Sequence, residues 1–382
     1  MELSVVIPCL NECETLSTCI EKAQRSIQAL GTSGEIIVAD NGSTDGSIEI
    51  AGRAGARVVH VRNRGYGQAL MGGIEASKGR YIIMADADDS YDFLDIPRFM
   101  ERLREGFELV QGCRLPSGGG TILPGAMPLL HRWGNPFLSS IARRWFRAPV
   151  HDVYCGMRGF SRRLYDALDL RCTGMELAVE MIVKASIRNS RIAEVPITLY
   201  PDGRISHAPH LRTFRDGWRT LRLFLLSSPY WLFFLPGAGL AALGIIGYAI
   251  ALPGLRIFGV SFDAHTLLFA SLAILLGYQA TLFSVIARVF AVTERLLPET
   301  PWLRSLRKRV TLERGLVLGL VLALVGVGLL TVAVAQWWAV DFGDLDYART
   351  MRWVIPGATL TALGFETMLA SFLLSVITMN RR

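Results

Sequence analysis

Arg80–Asp92, RYIIMADADDSYD, runs from a short apolar segment straight into Asp86, Asp88, Asp89 and Asp92. An apolar run of that length, bounded by turn residues, reads as a buried strand. Three more precede it: LSVVIP (Leu3–Pro8), EIIVAD (Glu35–Asp40) and ARVVHV (Ala56–Val61). Between them, helical periodicity predicts helices near Glu14–Leu30, Ser47–Ala54 and Gly67–Ser77. Strands alternating with helices in this rhythm give an α/β domain whose mostly parallel, Rossmann-like sheet is covered on both faces. Ligands of such sheets sit beyond the carboxyl ends of the strands. The loops Pro8–Glu12, Asp40–Asp45 and Asp86–Asp92 should therefore meet at one edge, where four crowded carboxylates are either a solvated turn or the ligand set of a cation.

Further along, a helix is expected at Ile96–Glu105 and a strand at FELVQGCR (Phe107–Arg114). The Gly/Pro-rich segment Pro116–Pro128 reads as a flexible loop, open to a role as a lid or as plain surface. The 382 residues are 51% hydrophobic with a mean hydropathy of +0.35, too apolar for an ordinary soluble protein. That excess lies behind residue 228, in apolar stretches near 231–252, 266–287, 315–340 and 353–379. At ~1.5 Å per residue each can cross a hydrocarbon core of ~30 Å. The expected domains are a cytosolic catalytic domain over 1–200, amphipathic juxtamembrane helices over 201–228 and a four-helix transmembrane domain over 229–382.

Charge orients the spans. Arg288, Arg295, Arg304, Arg307, Lys308, Arg309 and Arg314 crowd the connection between the second and third, while Asp341, Asp344 and Asp346 follow the third. The positive-inside bias puts the basic connection, the front domain and both termini in the cytosol of an inner or plasma membrane. Six cysteines with no C-x-x-C pair, and no basic, long apolar start, agree with a cytosolic front domain. The net charge of +7 gathers beside apolar stretches rather than along an aromatic groove, so the expected partner is a lipid bilayer and not nucleic acid. From Leu211 to Leu225 a helix would carry Leu211, Phe214, Trp218, Leu221 and Leu225 on one side and Arg212, Arg215, Arg219 and Arg222 on the other, a pattern suited to the membrane interface.

VVIPCLNE, VADNGSTDGS and MADADDSYD, in this order and spacing, resemble the family 2 glycosyltransferases of the GT-A fold. More narrowly, they resemble the membrane-bound polyprenyl-phosphate sugar transferases related to dolichol-phosphate mannose synthase. The resemblance covers about residues 1–228. It implies a nucleotide-sugar donor bound by Pro8, Leu10, Asn11, Glu12, Asp40, Asp86 and Ala87. A Mg2+ or Mn2+ ion would sit on Asp86 and Asp88, with Ser90 where relatives carry an assisting Gln. Hard oxygen ligands suit those ions. GCR (Gly112–Arg114) and DVYCGMRGFSRR (Asp152–Arg163) match family segments, which implies catalytic roles for Asp152, Arg114 and Arg158. Arg158, Arg204 and Ser206 would hold the lipid phosphate. His207 stands where the family more often has Lys. Glu176 and Glu180, at helical i, i+4 spacing, either support the acceptor site or fix a neighbouring Arg.

The function so implied is inverting transfer of one sugar, from a UDP-glucose or GDP-mannose type donor, to a polyprenyl phosphate at the cytosolic membrane face. Assembly into a homo-oligomer stays open. A processive polysaccharide synthase is the second reading, but the Q-x-x-R-W motif of those enzymes does not occur. A membrane carrier with a nucleotide-sugar-sensing domain is the third, resting on Glu366, a lone ionisable group in the fourth apolar stretch.

Overall fold

Helices and strands follow in the computed structural model, which describes residues 1–204, 213–257, 260–294, 297, 299–309 and 311–379. The chain divides into two compact units, Met1–Phe224 and Leu225–Arg382. In the first, β1 (Leu3–Cys9) is buried at every position. It is followed by α1 (Leu16–Ala29), β2 (Gly34–Asp40), α2 (Ser47–Arg53), β3 (Arg57–His60), α3 (Tyr66–Ala76) and β4 (Tyr81–Met84). Then come α4 (Ile96–Arg104), β5 (Leu109–Cys113), β6 (Thr121–Ile122), α5 (Leu129–Phe146), β7 (Arg158–Ser161), α6 (Arg162–Leu168), α7 (Leu177–Ile187), β8 (Ile192–Pro196), β9 (Thr198–Leu199) and α8 (Thr213–Ser227).

The seven-stranded sheet has the order β3-β2-β1-β4-β7-β5-β8. Only β7 runs antiparallel to its neighbours, β4 and β5. Alternation along β1 divides the core. Leu3, Val5 and Ile7 pack with Leu16, Ile20 and Phe99 of α1 and α4, whereas Val6 packs with Leu70, Ile74 and Ile182 of α3 and α7. Each such fully buried aliphatic side chain stabilises the fold by about 1.5–3 kcal/mol.

The order β2-β1-β4 places the topological switch between β1 and β4, because the chain leaves β1 in one direction and returns as β4 on its other side. A crevice opens there outside the strands' carboxyl ends. Both loops at that crevice hold a polar residue with positive φ, Asn11 (60°) and Asp89 (56°). Asn and Asp tolerate this region better than other side-chain-bearing residues.

Two sequence expectations change. The Gly/Pro-rich segment is ordered in part, because Thr121 and Ile122 of β6 pair with Thr198 and Leu199 of β9. An 18-residue helix, α5, also stands where no element was expected; Gly134 and Pro136 inside it mask its periodicity.

In the second unit, four helical spans occur among the described residues: Tyr230–Ala251 (its last 17 residues α9, Leu235–Ala251), α10 (Ala264–Thr293), α12 (Leu312–Trp338) and α13 (Tyr347–Thr378). A short helix, α11 (Pro301–Arg309), lies between α10 and α12. Glycines let two pairs of spans approach. A Cβ on Gly319 would stand 2.7 Å from Gly364 O, and one on Gly326 only 2.5 Å from Thr361 N. Gly237 and Gly244 of α9 meet Gly277 and Ala270 of α10 in the same way. Small residues that bring backbones together are a main source of helix association in lipid. Gly326→Leu should therefore lower the thermal midpoint of the detergent-solubilised protein, while Gly328→Leu, where an added Cβ meets nothing within 4 Å, should leave it near wild type. Equal effects at the two positions would remove close packing as the cause.

Candidate active site

The structure sorts the four aspartates of the opening stretch. Asp89 turns back to Lys22 of α1 at 2.7 Å, and Asp92 accepts from Leu94 N at 3.0 Å as the cap of a short turn. Asp86 and Asp88 line a cavity of about 720 Å³ at the switch point. Tyr66 Oη, from the first turn of α3, donates to Asp86 Oδ1 at 2.7 Å. Burial and the charge of Asp88 push the Asp86 carboxyl above its ordinary range, against the pull of Tyr66, Arg114 and Arg204. Asp88 Oδ1 accepts from both the amide and the hydroxyl of Ser90, at 3.1 and 2.6 Å. Ser90 thus orients Asp88. Close approach is enforced nearby by Gly156, where a Cβ would stand 2.5 Å from Asp86 Oδ2.

The cavity is lined by Pro8 near the end of β1, by Leu10, Asn11 and Glu12 after it, and by Asn41, Gly42 and Thr44 after β2. Ala87 also lines it. Asp40 does not. Its carboxylate is turned into its own loop, accepting from Ser43 N (2.9 Å), Gly42 N (3.3 Å) and His60 Nδ1 (3.2 Å). Asp40, expected to read the base, closes its own turn in the structure. Its neighbour Asn41 takes the wall position, donating to Val61 O and Asn63 O and accepting from Gly65 N.

Arg114 and Asp152 come together, though not as independent catalytic groups. Arg114 Nε and Nη2 reach Asp152 Oδ2 and Oδ1 at 2.7 and 3.0 Å, and the Arg114 amide donates to the same carboxylate at 3.1 Å. Asp152 has no solvent exposure and does not line the cavity; Arg114 does, with Tyr91 Oη 3.3 Å from its Nη1. Asp152, expected as a catalytic group, is thus bonded to Arg114 in the structure.

Arg158, expected at the catalytic centre and the lipid phosphate, lies on β7, fully buried, and donates to the carbonyls of Ala178 and Cys155. It does not line the cavity. Glu180 likewise is structural, accepting from the amides of Arg171 and Cys172 and pairing with Lys184 at 2.8 Å. Glu176 lies 3.8 Å from Arg219.

Arg204, expected at the lipid phosphate, stands among the carboxylates of Glu12, Asp88 and Asp202. Its guanidinium reaches Glu12 Oε1 (2.9 Å), Asp88 Oδ2 (3.4 Å) and Asp202 Oδ1 (2.8 Å), with 7% of the side chain exposed. The cause is local: Tyr200 N bonds Ser90 O, Gly203 N bonds Asp88 O, and Leu199 bridges to Tyr91, so the segment is pinned to the aspartate loop. Ser206, His207, Leu211 and Arg212 lie outside the described residues.

Part of the lining carries no sequence expectation. Met127, Pro128, His131 and Asn135, at and before the start of α5, line the cavity with Thr213 of α8. His131 Nε2 lies 3.0 Å from Thr213 Oγ1. Burial and Arg114 lower the imidazole's pKa, opposed by Asp216. On the same two helices, Leu129, Leu130, Trp133 and Phe137 of α5 and Phe214 and Trp218 of α8 are exposed. The apolar stripe expected on α8 is there, but Asp216, Thr220 and Phe224 bury a second face of that helix. Arg64, beside Gly65 and Tyr66, also lines the cavity unforeseen.

Comparison with known proteins adds the following. Residues 4–169 match the family described as glycosyl transferase family 2, and residues 285–378 match the glycosyltransferase family 2 C-terminal transmembrane region. The low-salt glycan biosynthesis hexosyltransferase Agl6 of Haloferax volcanii is 36% identical over 97% of this chain and 88% of its own length. A dolichyl-phosphate hexose transferase of the same organism is 32% identical, covering 51% of this chain and 82% of that protein. The undecaprenyl-phosphate 4-deoxy-4-formamido-L-arabinose transferase of Pseudomonas paraeruginosa is 29% identical over 72% of this chain and 81% of its own.

Removing one partner of a buried ion pair leaves the other charge stranded, at about 3–5 kcal/mol. Asp152→Asn should therefore lower the thermal midpoint of the purified protein, and Arg114→Met combined with Asp152→Leu should recover much of the loss. An Asp152→Asn variant as stable as wild type would show that the pair is not a structural tie.

Proposed function

The chain belongs to glycosyltransferase family 2, and from that premise we propose that it transfers one hexose from a nucleotide-sugar donor to a polyprenyl phosphate, with inversion. One observation carries this reading. A single cavity has the carboxylates of Asp86 and Asp88 in its wall and is also lined by α5 and α8, helices that expose Leu129, Leu130, Trp133, Phe137, Phe214 and Trp218. A donor with a charged diphosphate suits the first feature; an acceptor with a phosphate on a long hydrocarbon suits the second. The relatives whose names specify dolichyl or undecaprenyl phosphate support the same acceptor class.

Mg2+ or Mn2+ fits the donor set, since Asp86 and Asp88 offer hard oxygens in one wall. Among the described residues no group of three or more His, Cys, Asp or Glu forms a metal cage, so diphosphate and water oxygens would complete the coordination. When bound, the ion would neutralise charge growing on the leaving nucleotide. Tyr66 and Ser90 hold the two carboxylates for it. Arg114, kept in place by Asp152, presents a fixed positive charge to the cavity for acceptor or donor phosphate. Inversion follows when an acceptor phosphate oxygen bonds to the anomeric carbon on the face opposite the departing diphosphate oxygen. A phosphate monoester has a second pKa of about 6. The acceptor is then largely dianionic at neutral pH and attacks without a protein base, which agrees with an Asp152 that is buried and paired.

The protein is an integral membrane protein with C-terminal spans, and we place the catalytic unit on the cytosolic face from the loop charges. In sealed right-side-out vesicles, a Cys introduced at Asp344 should react with a membrane-impermeant maleimide while Cys13, in the catalytic unit, stays protected. Labelling in the reverse sense would invert the orientation.

Transfer itself is tested with full-length protein in detergent, a panel of labelled UDP- and GDP-hexoses, and a polyprenyl phosphate. The expected product is organic-soluble label from one donor of the panel, lost by about 10²–10³ or more in Asp88→Ala, as when a principal electrostatic stabiliser is removed. Label that stays in the aqueous phase with every donor, or that grows into a polymer, would replace the reading with a soluble acceptor or a processive synthase.

A further inference from the structure

Arg204 lies against Asp88, one of the two carboxylates that would hold a divalent cation. Asp88 Oδ1 is committed to Ser90, so Oδ2 is the oxygen left to face the cavity, and the guanidinium already lies against it at 3.4 Å. The arrangement is built rather than incidental. Asp202 accepts from Nε at 2.8 Å and Glu12 from Nη1 at 2.9 Å, while Gly203 permits a backbone approach in which a Cβ would stand 2.9 Å from Thr15 Cγ2. A guanidinium stays protonated at any ordinary pH, so the cation is permanent.

A dication approaching Asp88 must displace this guanidinium or stand beside it with like charge. It would gain at most two well-placed carboxylates for doing so, because the described residues hold no group of three or more metal-binding side chains. Magnesium-like ions take about six oxygen ligands and are usually held by one or two carboxylates together with substrate phosphates. We propose that Arg204 is a resident counter-cation that keeps divalent metal off Asp88 until a nucleotide diphosphate arrives with it. Metal loading is thus tied to donor loading, and the free enzyme stores its carboxylates neutralised. This rests on the donor-site reading above, and it goes beyond it by assigning Arg204 to the entry of metal rather than to the lipid phosphate.

The test needs no sugar and no lipid. Full-length protein in detergent is titrated with Mn2+, and free ion is read by electron paramagnetic resonance, without nucleotide and then with saturating UDP or GDP. Wild type should bind Mn2+ weakly alone and much more tightly with one of the nucleotides. Arg204→Gln should tighten Mn2+ binding without nucleotide by ~10-fold, within the usual range of site-to-site coupling. Adding Asp88→Asn should abolish that gain, and Arg204→Lys, which keeps a cation, should keep binding weak. Unchanged nucleotide-free affinity in Arg204→Gln, or a gain that survives Asp88→Asn, would overturn the proposal. Because transfer is not measured, failure of the lipid-acceptor reading leaves this result standing, and the reverse also holds.

Discussion

Carboxylates brought to the ends of β1 and β4 repel one another, and the catalytic unit is organised around that repulsion. Two unit charges 4 Å apart interact by about 4 kcal/mol at an effective dielectric of 20, so Glu12, Asp86 and Asp88 cannot share a cleft without compensation. Three devices supply it in the free protein. Tyr66 bonds Asp86, Ser90 bonds Asp88, and Arg204 joins Asp88 to Glu12. The last depends on the Pro201–Gly203 turn being pinned to the aspartate loop, which is why a residue nearly two hundred positions from Glu12 completes its electrostatics.

The strands and their loops were legible because their signals are local. A buried strand needs a continuous apolar run, and a loop at its end needs turn residues; LSVVIP and YIIMADAD contain both within a few positions. The spans were legible for the same reason. What could not be read was direction and partnership. Gly134 and Pro136 broke the helical pattern of α5, yet tertiary burial of Ser139, Ala142 and Phe146 keeps the helix. β7 carries Arg158-Gly-Phe-Ser, which lacks a strand's apolar run, and it forms because β4 and β5 bracket it.

Matching a motif gives a residue's place in the chain and not the way its side chain faces. Arg114 and Arg158 illustrate this. Both are buried cations in matched segments, but Arg114, immediately after β5, reaches the cavity and a carboxylate, whereas Arg158, within β7, crosses to backbone carbonyls behind the sheet. Period-two alternation means that a shift of one residue would exchange the faces. Asp40 differs again: its loop position was read correctly, but the Asx-type bonds to Gly42 and Ser43 consume the carboxylate.

Helix α8 shows why one amphipathic pattern can serve two surfaces. Asp216, Thr220 and Phe224 repeat every four residues and bury against the unit's core, where Phe224 meets Phe146 at 5.6 Å between ring centroids. Phe214 and Trp218 stand on another side and remain exposed. A helix only needing to pack would gain nothing from exposing large aromatics, whose transfer out of water is favourable. The same excess recurs on α5, which meets α8 at the His131–Thr213 contact. Two helices that each bury one face and expose aromatics on another, and that both line the cavity holding Asp86 and Asp88, suit a reaction in which a charged headgroup enters while its hydrocarbon stays outside. On the proposed reading, the apolar collar and the carboxylate pair therefore answer one demand: the acceptor carries both a phosphate and a long hydrocarbon, and a single cavity must accommodate the first without extracting the second from lipid.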